Sequence, residues 1–148
     1  MSNVDQHKLA KASAEAMWRE DRASKWLGMK LDEVRPGFAR LSMTVTRDMV
    51  NGHDLCHGGF IFTLADSTFA YACNSRNQRA VAAGASIEFL APAHLGDVLT
   101  AEGFEQALAG RIGVYDMRVT NQKGELLALF RGKSATIRGK LVEEGGGA

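Results

Sequence analysis

Cysteine and proline are both scarce in this sequence, with two of each in 148 residues. Cys56 and Cys73 allow one bridge at most, which excludes a disulfide scaffold. A chain of this length can bury a sufficient core without such staples. Pro36 and Pro92 leave long stretches open to helix and strand. An excess of charge of one sign is missing as well. Against 18 basic residues stand 17 acidic ones, a net charge of +1. That balance leaves no electrostatic footprint for nucleic acid or an anionic membrane surface. No run of about 20 apolar residues occurs, so no membrane-spanning helix is expected. The opening MSNVDQHKLAKASAEAMWRED lacks the apolar core of a secretory signal. The expectation is a cytoplasmic protein that binds neither nucleic acid nor membrane.

The composition, 45% apolar and 24% charged, suits one ordinary globular domain. That domain is expected over residues 1–140, with a flexible polar tail over 141–148 ending in EEGGGA. Residues 4–26 carry strong helix formers, with Asp5 as a candidate cap and Leu9, Met17 and Trp26 as an interrupted apolar side. A break near Glu20-Asp21 is compatible with the pattern, and Gly28 suits a stop. Residues 27–48 read as two strands joined at Pro36-Gly37, since Leu41, Met43 and Val45 alternate with polar neighbours. Four further strands follow residue 80: Val81–Ala91 ending before Pro92, then DVLTAEGFEQAL, RIGVYDMRVT and ELLALFRGKSATIRG. The fold class is α+β: a six-stranded antiparallel sheet, one long central helix and an N-terminal helix. The run Leu126–Phe130 looks apolar on both sides. One helix cannot cover two sheet faces, so a second copy of the chain is expected to cover the other.

The central helix contains the feature that calls for chemistry. In NGHDLCHGGFIFTLADSTFAYACNS, residues 51–75, a polar loop runs into a helix that is apolar nearly all round. Such a helix is buried, and Asp66 lies in its middle. A buried carboxylate needs a partner or a wet cleft. The bland solution is a hydrogen bond from Thr63 or Thr68. The functional one is a site, because perturbed carboxylates gather at sites. Gly58 and Gly59 open the helix, where backbone N–H groups lack partners and a ligand can approach closely. They suit an oxyanion hole for acyl transfer. His57 and Asp66 are nine positions apart, roughly 13 Å along a helix axis. They cannot meet on one substrate atom within one chain. A site using both needs two subunits with antiparallel helices.

This stretch, followed by AVAAGASIEFLAPAHLGD, closely resembles the hotdog-fold acyl-CoA thioesterases, in particular those of phenylacetic acid degradation. The resemblance runs from about Ala14 to Arg138, and the N-G-H…C-H-G-G…L-A-D spacing carries it. It implies the hotdog fold, a sheet wrapped around one long helix, with dimers joined edge to edge and often paired into homotetramers. It implies hydrolysis of acyl-CoA, of the phenylacetyl or hydroxyphenylacetyl type, with no cofactor because coenzyme A belongs to the substrate. By resemblance, Asp66 is the general base or nucleophile and the Gly58 N–H polarises the thioester carbonyl. Asn51 and His57 position that carbonyl or the water from the opposite subunit. Some relatives place a hydroxyl on the following strand. Here that position is Ala82, with Gly84 and Ser86 nearby, a departure from the pattern.

Coenzyme A phosphates call for cations. Arg76 and Arg79 follow the helix, and Arg131, Lys133 and Arg138 lie on the last strand. With Gly59, Thr63, Ala82 and Gly84, Arg76 and Arg79 complete the candidate substrate-binding set. Phe60, Phe62, Phe69 and Tyr71 suit either an aromatic pocket or the core. A Cys56–His57 nucleophile pair is disfavoured because adjacent side chains diverge. A metal at His53, Asp54, Cys56 and His57 matches no standard spacing, so none is expected. A non-catalytic acyl-CoA binder is the alternative, and it has no need of Asp66. A dehydratase would want Asp and His together in one chain.

Overall fold

The computed structural model describes residues 1–144. Helix α1 (Asn3–Glu20) is capped by Ser2 rather than by Asp5. The Ser2 hydroxyl accepts the Asp5 N–H at 3.1 Å and donates to the Asp5 carboxylate at 2.8 Å. Asp5 therefore works from inside the first turn, where the helix dipole favours a negative charge. The break falls at Asp21, which caps α2 (Arg22–Trp26) through the Ser24 N–H and hydroxyl. Asp21 also accepts the Tyr71 hydroxyl at 2.9 Å, fixing the helix break to the centre of the molecule. Gly28, at φ +74°, ends α2. Trp26 does not join an apolar side, being 83% exposed.

The strands are β1 (Lys30–Arg35), β2 (Phe38–Thr44), β3 (Ala80–Phe89), β4 (Val98–Ala109), β5 (Ile112–Thr120) and β6 (Leu126–Thr136). They form one antiparallel sheet in the order β1-β2-β4-β5-β6-β3. Helix α3 (Gly58–Cys73) packs across it, against β2, β4, β5, β6 and β3. Leu41, Met43, Leu99, Met117, Phe130, Leu64 and Phe69 build the shared core. Phe69 lies against β6 at Gly132, where a Cβ would come within 2.7 Å of its ring. A sheet curled around one long helix is the hotdog fold that the sequence led us to expect.

Two expectations change. Strand β6 is not apolar on both sides. Phe130, Gly132 and Ser134 face inward and are buried, whereas Leu129, Arg131 and Lys133 face out. Arg131 is held there by Asp116 at 2.7 and 2.8 Å. The outer face of β6 is thus mostly polar and gives no argument for a second copy. Uncovered apolar surface lies on β4, where Val98, Phe104 and Leu108 are exposed, and at the sheet edge. β3 pairs with β6 alone, and Val81, Phe89 and the following Leu90 are 47%, 52% and 56% exposed. The second change is at the C-terminus. Leu141 and Val142, expected within a flexible tail, are held by the buried Asn77. Its Oδ1 accepts both of their N–H groups, and its Nδ2 donates to the Val142 carbonyl, each at 2.8 Å. The tail residues 145–148 lie outside the described residues.

Candidate active site

The loop before α3 is ordered by its own side chains. The Asn51 Oδ1 accepts the N–H groups of His53 and Leu55 at 2.9 and 3.1 Å, a local turn that asparagine favours. The loop is stapled to the segment after β3 through Cys56 N–H to the Ala93 carbonyl and Leu95 N–H to the Asp54 carbonyl. His57 follows in extended conformation as the helix N-cap, with no capping side chain. Among the described residues, the N–H groups of Gly58 and Gly59 donate to nothing. The Asn51 Nδ2 and the His57 ring also lack hydrogen-bond partners there. These four polar groups, in the loop and first turn of α3, are not engaged by the rest of the described residues.

Asp66 is half-buried in the middle of α3. The hydroxyls that were candidate partners point elsewhere. Thr63 donates to the Gly59 carbonyl and Thr68 to the Leu64 carbonyl, each at 2.8 Å. Neither reaches Asp66, and among the described residues its carboxyl has no hydrogen bond or ion pair. Burial lifts its pKa above the ordinary carboxylate range, as desolvation of an unpaired acid must. Its direction follows from helical spacing. Phe62 and Phe69, four positions before and three after, both pack on Phe130 of β6. Asp66 shares their row and so looks along the flank of α3 nearest β6 and β3.

Gly58 and Asp66 are eight positions apart on α3, roughly 12 Å along the axis. One chain does not bring them together. Gly59 and Thr63 lie on the solvent side of the first two turns. Ala82 and Gly84 are separated by a bulge in β3. Ala82 pairs with the inward Ser134, and Gly84 pairs with the outward Lys133. Only Ala82 faces the helix side, and Gly84 is on the opposite face of the sheet from α3. Sequence spacing could not show this, because one extra residue reverses the alternation.

An open cleft of ≈ 530 Å³ lies at the N-terminal end of α3, between Gly58 and Ile61 and the segment Phe89–Ala93. Its aromatic wall is Phe89, which the sequence reading treated only as a strand residue. The signal was an aromatic at the end of a strand just ahead of Pro92. Phe69 and Tyr71 do not line this cleft; both are fully buried in the core.

Comparison with known proteins converges on one family. The thioesterase superfamily matches residues 53–128, more than half the chain. The acyl-coenzyme A thioesterase PaaI of Escherichia coli (strain K12) is 46% identical over 132 residues, covering 89% of this chain and 94% of that protein. The chain belongs to the thioesterase superfamily. The solved structure of the E. coli PaaI protein, from the phenylacetic acid degradation operon, matches this superfamily member with a TM-score of 0.88, covering 90% of this chain and 97% of that one. A putative esterase of Archaeoglobus fulgidus is 36% identical, covering 78% of this chain and 75% of its own. The smu.793 protein of Streptococcus mutans UA159, solved bound to acetyl-CoA, is 28% identical with a TM-score of 0.71, covering 76% and 90%.

In this thioesterase-superfamily chain the cysteine-nucleophile alternative finds little support. Cys56 directs its thiol to the His57 backbone carbonyl at 3.4 Å, not to the ring. Burial pushes that thiol up to about 11, far from the thiolate a nucleophile needs. Both cysteines are free. Among the described residues no group of three or more His, Cys, Asp and Glu is placed to hold a metal, and no helix is long and apolar enough to cross a membrane. The cation candidates divide. Arg76 is engaged by Glu105 and Arg131 by Asp116. Arg79 lies beside Gly139, past the far end of α3. Lys133 and Arg138 have no ion-pair partner among the described residues.

Proposed function

We propose that this protein hydrolyses acyl-CoA thioesters, with phenylacetyl or hydroxyphenylacetyl esters as the preferred class. The observation that carries the reading is the Asp66 carboxyl, half-buried on an apolar helix with neither hydrogen bond nor ion pair. The fold makes no use of it, and a mere binder has no need of it. Similarity to a named acyl-coenzyme A thioesterase supports the substrate class.

The chemistry is divided between two subunits. The Gly58 N–H polarises the thioester carbonyl as negative charge grows on its oxygen. The free Nδ2 of Asn51 is a donor only, so it suits that same oxygen rather than a water proton. His57 stands beside it. Asp66 of the other subunit acts either as general base on water or as nucleophile. As a base it takes a proton as water adds to the carbonyl carbon. The C–S bond then breaks, and the proton passes to the departing coenzyme A thiolate. A raised pKa makes the carboxylate a stronger base. Antiparallel pairing of two β3 edges would cover Val81 and Leu90 and set two α3 helices side by side, which is the arrangement a shared site requires. The working unit on this reading is a homodimer at least, pairing into a homotetramer, in the cytoplasm. No cofactor is called for, since coenzyme A is part of the substrate.

The test is Asp66→Asn assayed against a panel of acyl-CoA esters. Turnover should fall by about 10² to 10⁴ while coenzyme A binding persists. Hydrolysis near the wild-type rate in a folded variant would refute the role of Asp66.

A further inference from the structure

We propose that the α1–α2 junction clamps α3 so as to aim Asp66, with Ser67 and Tyr71 of α3, held by Ser24 and Asp21 of the junction, as its positioning residues. This rests on the hydrolase reading above and gives a role to residues that reading left outside the site.

Helix α3 calls for such a device. It is apolar nearly all round, so burial by itself sets its roll about the axis only loosely. Contacts such as Phe69 on Gly132 resist a gross rotation, but apolar contact is non-directional. Hydrogen bonds are directional. Thr63 and Thr68 spend theirs on carbonyls of α3 itself and cannot register it against its surroundings. Among the described residues, two hydrogen bonds join α3 side chains to another helix or strand. Ser67 meets Ser24 and Tyr71 meets Asp21, each at 2.9 Å. Both end at the α1–α2 junction. Asp66 has no partner of its own, so its direction is inherited from the helix that carries it.

The bonds run in a fixed order. The Ser24 hydroxyl donates to the Asp21 Oδ2 at 2.7 Å, so its oxygen accepts the Ser67 proton. Tyr71 donates to that same Oδ2, and the Ser24 N–H donates to Oδ1 at 3.1 Å. One carboxylate thus gathers both paths that lead to α3. Ser24 and Tyr71 are each 1% exposed, so water does not compete for these protons. Burial first, and the Asp21 carboxylate next, hold the Tyr71 phenol well above the ordinary tyrosine range, and it stays a donor at any working pH. Trp18 of α1 packs on the same ring, with centroids 6.1 Å apart. Ser67 and Tyr71 are one turn apart on one flank of α3, away from Phe62 and Phe69. One anchor would be a pivot; two along the axis oppose both roll and tilt. The size of the effect follows from helix geometry. A side-chain tip lies about 5–6 Å from the axis, so a roll of roughly 10° moves the Asp66 carboxyl by about 1 Å. A misplacement of that size costs on the order of 10²-fold in rate.

The experiment measures kcat and KM for phenylacetyl-CoA in wild type, Ser67→Ala, Tyr71→Phe and the double variant. Asn77→Ala serves as the control, since it loosens the far end of α3 without touching the clamp. Crystal structures of wild type and the double variant locate the Asp66 carboxyl independently of turnover. Each single variant should lower kcat about 10-fold and the double variant about 100-fold, with KM within about twofold of wild type. Asn77→Ala should lose stability and keep its kcat. The carboxyl should shift by about 1 Å in the double variant while the sheet stays in place. If the double variant does not fold, the two single variants carry the same measurements. A fall in kcat no larger than that of Asn77→Ala, or a loss confined to KM, overturns the clamp and leaves the hydrolase reading standing. An unmoved carboxyl overturns the clamp whatever the rates. If wild type hydrolyses no acyl-CoA ester, the hydrolase reading falls and the structures alone decide: a displaced Asp66 upholds the clamp.

Discussion

At the C-terminal end of α3, each polar side chain from Asn74 to Asn77 has a partner. Asn74 bonds the Ala70 and Ala80 carbonyls and the Ala80 N–H, and Ser75 bridges Gly37 and Ala72. Arg76 is engaged by Glu105, and Asn77 clasps residues 141 and 142. At the N-terminal end and middle of the same helix, the Gly58 and Gly59 N–H groups, the His57 ring and the Asp66 carboxyl have none among the described residues. Helix and sheet are shared, so the difference is not one of fold. Among the described residues no buried side-chain polar atom lacks a partner, and His57 and Gly59 are exposed. The groups at this end reach solvent, where a ligand can engage them without breaking a bond the fold uses.

Mixed dimers put the sharpest strain on this comparison. Neither Asp66→Asn nor a double variant at Asn51 and His57 should show more than about 1% of wild-type turnover. Co-expressed and purified as mixed dimers, they should recover one working site of two, roughly half the wild-type rate per dimer. No recovery in verified mixed dimers would show that each site is built within one chain. The satisfied end should respond through stability. Asn77→Ala removes three hydrogen bonds and places alanine at φ +61°. A loss of about 2–3 kcal/mol is expected in chemical denaturation, with kcat unchanged. A large fall in kcat without loss of stability would mean that this end is functional too.

The smallest effect is the most diagnostic. Burial raises the Asp66 pKa in the fold, so folding favours the protonated acid. That contribution is complete below the pKa of an unfolded aspartate and is lost as pH rises through the folded value. At neutral pH the ionised carboxylate therefore works against the fold. Asp66→Asn should melt as wild type does in acid and up to a few degrees higher near neutrality. A lower melting temperature at neutral pH would show that Asp66 has a structural partner.

Much of this architecture is legible in the residues because local pattern decides it. Alternation in Leu41–Val45 and the apolar run Phe60–Cys73 announce strand and helix, and Pro36-Gly37 and Ala109-Gly110 announce turns. The carboxylate in the helix and the glycine pair ahead of it are visible for the same reason, as local violations of an apolar pattern. The helix cap was missed because Ser2 and Asp5 both suit that position by type, and only the geometry of the first turn separates them.

By itself the sequence determined which elements form, that Asp66 sits where a charge is costly, and that it cannot meet His57 in one chain. Those follow from periodicities that hold wherever a helix or strand occurs. Tertiary structure alone decided what those groups touch. It turned Thr63 and Thr68 away from Asp66, engaged Arg76 with Glu105, set Gly84 opposite Ala82 through one bulge, and laid Phe89 against Gly58. Each is a contact between residues distant in sequence or a shift of register by one. Partners of that kind depend on how the elements pack in space, which no single stretch of the chain encodes.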